Sequence, residues 1–341
     1  MFERNIYDQY GFHCDERWHL GAYEGFESEG HSYIVTPYPR KEDSVLTQFE
    51  WARQLERAGI IDVAMPVQTM DGKVIAKIDG AQQLIFRLPQ DDPSRNEQPQ
   101  QPEAFQLAQI HEVSRGWMPN VKDLNFLGNW LHIWETRMSQ LENWHQQVDA
   151  RRQKNDFDRQ FLYTFPYYLG RAETAMQWLV EEGQEHLLQP YDGSINHTRF
   201  TPTSWFAASP TTTQVKLPLQ FVYDHPARDL GERLRSIYRQ GDGEEAYRFI
   251  EDYYGAQFRG GNNVHWPLIG ARLLLPLSYV EVVEDHYMNE GTNAENRSLE
   301  AVNFEEELAA EEKYLRLTSE CLLEHLPSST AGAWFTRRIF V

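Results

Sequence analysis

The spacing of apolar and polar positions changes character once along the chain. Over residues 1–89 the apolar runs are short and separated by turn signals. Gly21 to Gly25 and Ser32 to Thr36 flank the turn-like Glu27-Ser-Glu-Gly30, which predicts a hairpin. Ser44 offers an N-cap, Leu46, Phe49, Ala52 and Leu55 follow at helical spacing, and Gly59 is a stop signal, so one helix is predicted among the strands. Met70-Asp-Gly-Lys73 predicts a second hairpin joining residues 63–69 to 74–78, and residues 82–87 read as a further strand.

Residues 90–102 hold three prolines and otherwise only polar side chains, so they contribute nothing to a core and read as a connector. Beyond them the period becomes helical. Ala104, Leu107, Ala108 and His111 share one face, and Leu127, Leu131, Trp134, Met138, Leu141, His145 and Val148 mark one long amphipathic helix. Phe157, Phe161, Phe165, Leu169, Ala172, Ala175 and Leu179 continue the pattern, with Pro166 expected to start or kink a turn. Residues 224–238 and 244–254 predict two more helices, the acidic stretch 300–324 a last one, and residues 333–341 an extended docked tail. The expected architecture is α+β and two-lobed, with a small β-rich lobe at 1–89, a connector at 90–102 and a large helical lobe at 103–341.

Composition narrows the functions. The 341 residues can bury a large core, and 18 Phe, 17 Tyr and 10 Trp must largely be covered because each carries a large apolar area. A formal net charge of -19, with no basic run longer than Arg151-Arg152, excludes nucleic acid and anionic membrane surfaces as partners, since both need clustered positive charge. Glu3, Arg4, Asp8, Asp15 and Glu16 interrupt any apolar signal core, and Leu273 to Leu277 is far too short to span a bilayer, so synthesis in the cytosol without membrane insertion is expected. The Asn-x-Ser/Thr sequons at Asn196 and Asn296 then carry no meaning. Cys14 and Cys321 lie at opposite ends without metal-type spacing and read as ordinary buried thiols, a disulfide between them being the alternative.

The chemistry concentrates in Ile195 to Trp205 and in Asp224-His-Pro-Ala-Arg-Asp-Leu230. Their order resembles the catalytic segment of the aminoglycoside phosphotransferase-like superfamily, where His-Gly-Asp-x-x-x-x-Asn is followed by Gly-Asp-Pro-x-x-Asp-Leu. That resemblance implies a bilobal protein-kinase-like fold. Phosphoryl transfer requires a strand lysine on the phosphates, a helix glutamate holding it, an aspartate orienting the nucleophile, and Asn plus Asp for magnesium. Here the aspartate position is Arg199 and the asparagine position Ser204. A guanidinium accepts no proton, and a lone hydroxyl is a poor magnesium ligand. The magnesium aspartate is expected within Val215 to Pro218, which holds no carboxylate, and the strand lysine falls on Thr36 or Pro37. Glu50 occupies a plausible place for the helix glutamate, and Lys41 lies just past the strand. His197 and Asp229 match residues that brace the loop in kinase-like folds, so the loop is expected to keep its shape without its reagents. The alternative is an ordinary loop and N-capped helix in an unrelated α-rich protein.

Leu107-Ala-Gln-Ile-His-Glu-Val-Ser-Arg-Gly-Trp117, the aromatic-rich helix after it, Asp224-His-Pro-x-Arg-Asp-Leu230 and the opening Met1-Phe-Glu-Arg-Asn-Ile6 with Tyr10-Gly-Phe12 together resemble spore coat proteins of the CotS/YutH type. The resemblance implies synthesis in the mother cell, deposition on the developing spore and partners among other coat proteins. The departures at Arg199, Ser204 and the lysine position point to a catalytically inert kinase-like protein, acting in coat assembly or as a binding component, with no cofactor and no metal assigned. The competing readings are a small-molecule kinase in which Asp224 or Asp192 holds magnesium and Lys41 meets phosphate, and a sensor in which Arg199 contacts an anion.

The remaining signals are bland. His265 and Trp266 near Gly260-Gly261, and His286 beside Glu284 and Asp285, lack the spacing of a helical metal pair. Gly241-Asp-Gly243 is a turn signal, His111 a buried helix histidine, and Glu305-Glu-Glu307 with Glu311-Glu312 a solvated acidic face rather than a docking patch.

Overall fold

The computed structural model describes residues 1–20, 23–38, 41–60, 62–90, 101–183, 192–201, 204–207, 214–256, 266–288, 306, 309–311 and 313–320. Contacts gather the chain into two compact units. One comprises Met1–Asn125, Tyr191–Asp224 and Asp252–Phe258, and the other Phe126–Pro190, His225–Glu251 and Arg259–Val341. Most of the acidic stretch 300–324, the 333–341 tail, most of the connector, His265, Gly260-Gly261, Asn296 and Cys321 lie outside the described residues.

In the first unit the order is α1 (Phe2–Tyr10), β1 (Glu16–Leu20), β2 (Tyr23–Ser28), β3 (His31–Pro37), α2 (Glu42–Arg57), β4 (Met65–Val67), β5 (Ala76–Ile78), β6 (Ala81–Arg87), α3 (Glu103–Val113), β7 (Ser194–His197), β8 (Trp205–Ala207), β9 (Gln214–Lys216) and β10 (Phe221–Asp224). An antiparallel sheet runs β1-β2-β3-β6-β4, with β5 also on β6. Strand periodicity assigns its two faces. Ile34, Leu84 and Phe86 meet Val45 and Phe49 of α2, while Tyr33, Val35 and Ile85 meet Phe2, Ile6 and Tyr10 of α1. The sheet is covered by a helix on each side.

The expected β2–β3 hairpin forms, its turn at Glu29 (φ 52°) and Gly30 (φ 75°). The strands around Met70-Asp-Gly-Lys73 differ from expectation. That turn closes, with the Thr69 N–H donating to the Lys73 carbonyl at 2.8 Å, but β4 and β5 pair with β6 rather than with each other. They are successive pieces of one edge strand, and the turn is an excursion between them. The tight hairpin is β5–β6, whose Asp79 (φ 48°) and Gly80 (φ 88°) both adopt the left-handed conformation that matches strand twist. Helix α2 starts at Glu42, which places Ser44 inside it, buried, rather than at its cap. Helix α1 is absent from the predicted elements, because the charged and amide side chains between its apolar positions leave a polar average. Its Phe2, Ile6 and Tyr10 nevertheless recur every four residues and are all buried.

Helix α3 and strands β7 and β10 pack together in this unit, and the Leu107–Trp117 motif explains how. Ser114 is fully buried; its hydroxyl donates to the Ile110 carbonyl at 2.6 Å and accepts from the Ile195 N–H at 2.8 Å. The Gly116 N–H donates to the Gly193 carbonyl at 2.9 Å. Gly193 has no room for a side chain, since a Cβ there would lie 2.5 Å from the Tyr223 ring.

The second unit holds α4 (Trp130–Asp149), α5 (Asp156–Gly183), α6 (Ala227–Gln240), α8 (Trp266–Leu274) and α9 (Leu277–Met288), with most of α7 (Gly243–Gly255). Helix α5 runs unbroken for 28 residues with Pro166 inside it, so the proline neither starts nor ends an element. Phe161, Phe165, Tyr168 and Ala172 bury one side of α5 while Pro166 stays exposed, and that burial outweighs the lost backbone bond. Residues 224–226, expected to be helical, precede α6, and Asp224 ends a strand instead. Arg228, Asp229, Glu232, Arg233 and Arg235 of α6 are all buried, with Glu232 bonded to Arg272 and lying 3.6 Å from Arg235. Glu311 departs from the solvated face expected of it: it is buried and accepts from Arg171 of α5 at 2.7 Å. Trp266–Met288 is long and apolar enough to cross a membrane by length and composition alone, but 72% of its apolar window is buried and the chain bends at Leu275 and Pro276.

Replacing Ser114 by Ala leaves the Ile195 amide without its buried acceptor, and a loss of about 1–3 kcal/mol in unfolding free energy is expected by urea denaturation.

Candidate functional site

The pair β7 and β10 carries the loop to which the sequence points, and it is antiparallel with His197 opposite Phe221. His197 is 1% exposed. An indole N–H only donates, so the 2.8 Å bond from Trp205 Nε1 to His197 Nε2 defines that ring nitrogen as an acceptor. The imidazole is enclosed by Phe200, Trp205 and Phe221, with ring centroids at 4.8, 5.7 and 5.6 Å. Phe200 and Trp205 are themselves buried.

Ser204 closes the loop. Its hydroxyl donates to the Arg199 carbonyl at 2.9 Å and accepts from the Thr201 N–H at 2.8 Å, while its own N–H donates to the Thr201 carbonyl at 2.9 Å. The hydroxyl is fully engaged in loop geometry. Arg199 is exposed. Asp224 is fully buried at the end of β10, and its carbonyl accepts from Asn196 at 2.8 Å. Asp229 is buried in the first turn of α6.

The segment in which the resemblance places an aspartate carries the opposite charge. Val215 and Leu217 join the core of the sheet with Ile34, Phe49 and Phe86, and strand alternation sends Lys216 the other way. Lys216 is 1% exposed. Its ammonium donates to Gln106 Oε1 on α3 at 2.7 Å and to the Gln214 carbonyl at 3.0 Å, lies 3.9 Å from Asp62 Oδ2, and sits 4.4 Å from the centre of the Trp205 ring. Its backbone is stitched to residues 62–64 by two 2.9 Å bonds, Lys216 N–H to the Asp62 carbonyl and Ala64 N–H to the Lys216 carbonyl. Burial lowers the Lys216 pKa to about 8, against the opposing pull of Asp62 and Glu103.

Thr36 of β3 is buried, with no hydrogen-bond partner for its hydroxyl among the described residues. Glu50 does not face it. The Glu50 carboxylate is 46% exposed, accepts from Gln54 at 3.2 Å and lies near Arg53 and Arg57 of its own helix. An inward polar residue of α2 is Gln48, whose amide donates to the Leu219 and Phe221 carbonyls at 3.1 and 2.9 Å. Lys41 pairs with Asp123 at 3.0 Å on the surface. Tyr23 of β2 packs on Phe206 of β8, ring centroids 5.6 Å apart, and both rest on the sheet core.

Sequence reasoning missed Gln48 and Lys216. For Gln48 a signal existed, a long polar residue one position before the apolar Phe49 on the inward side of α2. These residues do not fit a magnesium nucleotide: an ammonium stands in the carboxylate segment, the Ser204 hydroxyl is spent within its loop, and no charge lies on the inward positions of β3 or α2. Among the described residues no group of three or more His, Cys, Asp or Glu side chains converges as a metal site.

A family model described as "Spore coat putative kinase YutH" matches residues 3–321. The chain belongs to the YutH spore coat family. It is 27% identical over 299 residues to the "Endospore coat-associated protein YutH" of Bacillus subtilis (strain 168), an alignment covering 85% of this chain and 84% of that one. Among solved structures it resembles an aminoglycoside phosphotransferase from Alicyclobacillus acidocaldarius, with TM-score 0.69, 16% identity and coverage of 96% of this chain and 97% of that one. It also resembles a spectinomycin phosphotransferase solved with ADP and spectinomycin, with TM-score 0.59, 14% identity and coverage of 89% and 92%. The fold of this YutH-family member is therefore aminoglycoside phosphotransferase-like, α+β, with a β-sheet N-terminal region and a helical C-terminal region.

Gln48 and Glu50 of α2 give opposite expectations. Gln48→Ala strips one buried and one partly buried carbonyl of this donor and should destabilise by about 1–3 kcal/mol, whereas Glu50→Ala at the surface should change stability by less than about 0.5 kcal/mol, both read from denaturation midpoints.

Proposed function

We propose that this chain uses its kinase-like fold for binding or structure within the spore coat and does not transfer phosphate. The observation that carries this reading is Lys216, a buried ammonium in the segment where phosphoryl transfer needs a metal-binding carboxylate. Arg199 and Ser204 support it, since neither the base nor the second metal ligand has a replacement within the loop. Gln48 and Thr36 support it from the sheet side, where a lysine–glutamate pair would have to stand. Membership in the YutH family and the name of the Bacillus subtilis relative favour association with the coat. The partners are then other coat proteins, and the protein reaches them from the mother cell cytoplasm. In this reading residues 1–89 and 103–341 are retained as the two lobes of the ancestral kinase and 90–102 as their connector, without a nucleotide.

Calorimetric titration with ATP and magnesium should give no heat of binding and no magnesium-dependent shift in thermal unfolding. The double change Arg199→Asp and Ser204→Asn should not restore ATP turnover, because Lys216, Thr36 and Gln48 remain. Magnesium-dependent ATP binding by the unaltered protein would overturn this reading, and turnover by the double variant would show that the rest of the site still supports phosphoryl transfer.

A further inference from the structure

The surroundings of Lys216 set up a conflict that the lack of phosphoryl transfer does not require. A lysine ammonium has three protons to place and a large hydration energy to replace. At hydrogen-bond distance Lys216 finds two neutral acceptors, Gln106 Oε1 and the Gln214 carbonyl, and the face of Trp205. The nearest carboxylate oxygen, Asp62 Oδ2, is 3.9 Å away, outside hydrogen-bond range. The facing charged groups are Asp62, in the segment between α2 and β4, and Glu103, at the start of α3. Gln106 and Gln214 carry no charge, and His197 is reached only through the Trp205 indole.

We propose that the β8–β9 strand pair is loaded by this buried charge, so that protonation of Lys216 favours its detachment from α3 and from residues 62–64. The apolar side chains on the other face of β9 hold the pair in place, with Val215 and Leu217 in the sheet core and Phe206 against Tyr23. The ammonium works against them. Moving Lys216 into water returns its hydration, and the protonated form is the one that gains. The depressed pKa of about 8 fits this direction.

The pH window follows by linkage. Below about pH 8 Lys216 carries its proton whether the pair is docked or detached, and the bias toward detachment is complete. As pH rises from there toward the ordinary lysine value, the docked form sheds its proton while the detached form keeps it, so docking strengthens. Each unit of depression is a tenfold bias, and the whole amounts to about a hundredfold or more. The device is thus most ready to open at neutral pH and is quietened by alkali.

The test uses a thiol reporter, Val215→Cys, in full-length protein with Cys14→Ser and Cys321→Ser, labelled by a disulfide reagent between pH 7 and 10 and normalised to an unfolded peptide with the same cysteine. Detachment should be about a hundredfold more frequent at pH 7 than after adding Lys216→Met, which keeps the volume and removes the charge. That gap should close as pH approaches 10. Equal labelling at pH 7 with and without the Lys216→Met change, or a gap that ignores pH, overturns the proposal. Selective 13C labelling of lysine in the unaltered protein gives an independent reading by NMR should the reporter variant fail to fold. A Lys216 titration midpoint near 8 is expected, and one above 10 overturns the loading. Neither readout involves ATP, so failure here is distinguishable from failure of the proposed function.

Discussion

Strand β9 has to satisfy two environments at once, and the first unit is organised around how it does so. Its alternation sends Val215 and Leu217 into the apolar core of the sheet and turns Lys216 toward α3 and Trp205. Burial of the two aliphatic side chains is a non-directional gain of about 1.5–3 kcal/mol each. Lys216 is directional and costly, and its surroundings make sense only as a response to it. Gln106 lies on the buried side of α3, donating to the Gln101 carbonyl at 2.9 Å and accepting from the ammonium. Moving the lysine by one position would exchange the faces and place the charge in the sheet core.

The neighbouring loop is held in shape by contacts of its own. His197 is fixed by the indole of Trp205 and a ring of aromatic side chains, and Ser204 ties the turn from 199 to 204 through main-chain bonds. None of these contacts needs a metal or a nucleotide. Aromatic packing and buried hydrogen bonds are enough to fix such a backbone.

Much of this was legible in the sequence, and the gaps have physical causes. The helices with strong apolar periodicity, α2, α4, α5 and α7, were readable because burial of one face leaves a 3.6-residue signature. Helix α1 was hidden by its polar average, and α8 by being apolar at nearly every position, which erases the periodicity. Asp71-Gly72 was read as the hairpin turn, yet the pair that joins adjacent paired strands is Asp79-Gly80, because β6 follows it directly in sequence. In the site, the absence of a carboxylate at 215–218 was plain, but the meaning of Lys216 was not. A lysine in a sequence is by default a solvated surface charge. Glu50 is the residue of α2 that the resemblance singles out, whereas the helix rotation presents Gln48 inward and leaves Glu50 with Arg53 and Arg57.

Spacing and identity along the chain were enough to establish the order of most elements, the family likeness and the residue types missing from a phosphotransferase loop, because each of these is a one-dimensional property. Which polar side chains are buried, and what they touch, was settled only when the chain folded. Burial is a property of neighbours brought from far away, as when Gln106 meets Lys216 across 110 residues, and no local pattern records the distance of a charge from water.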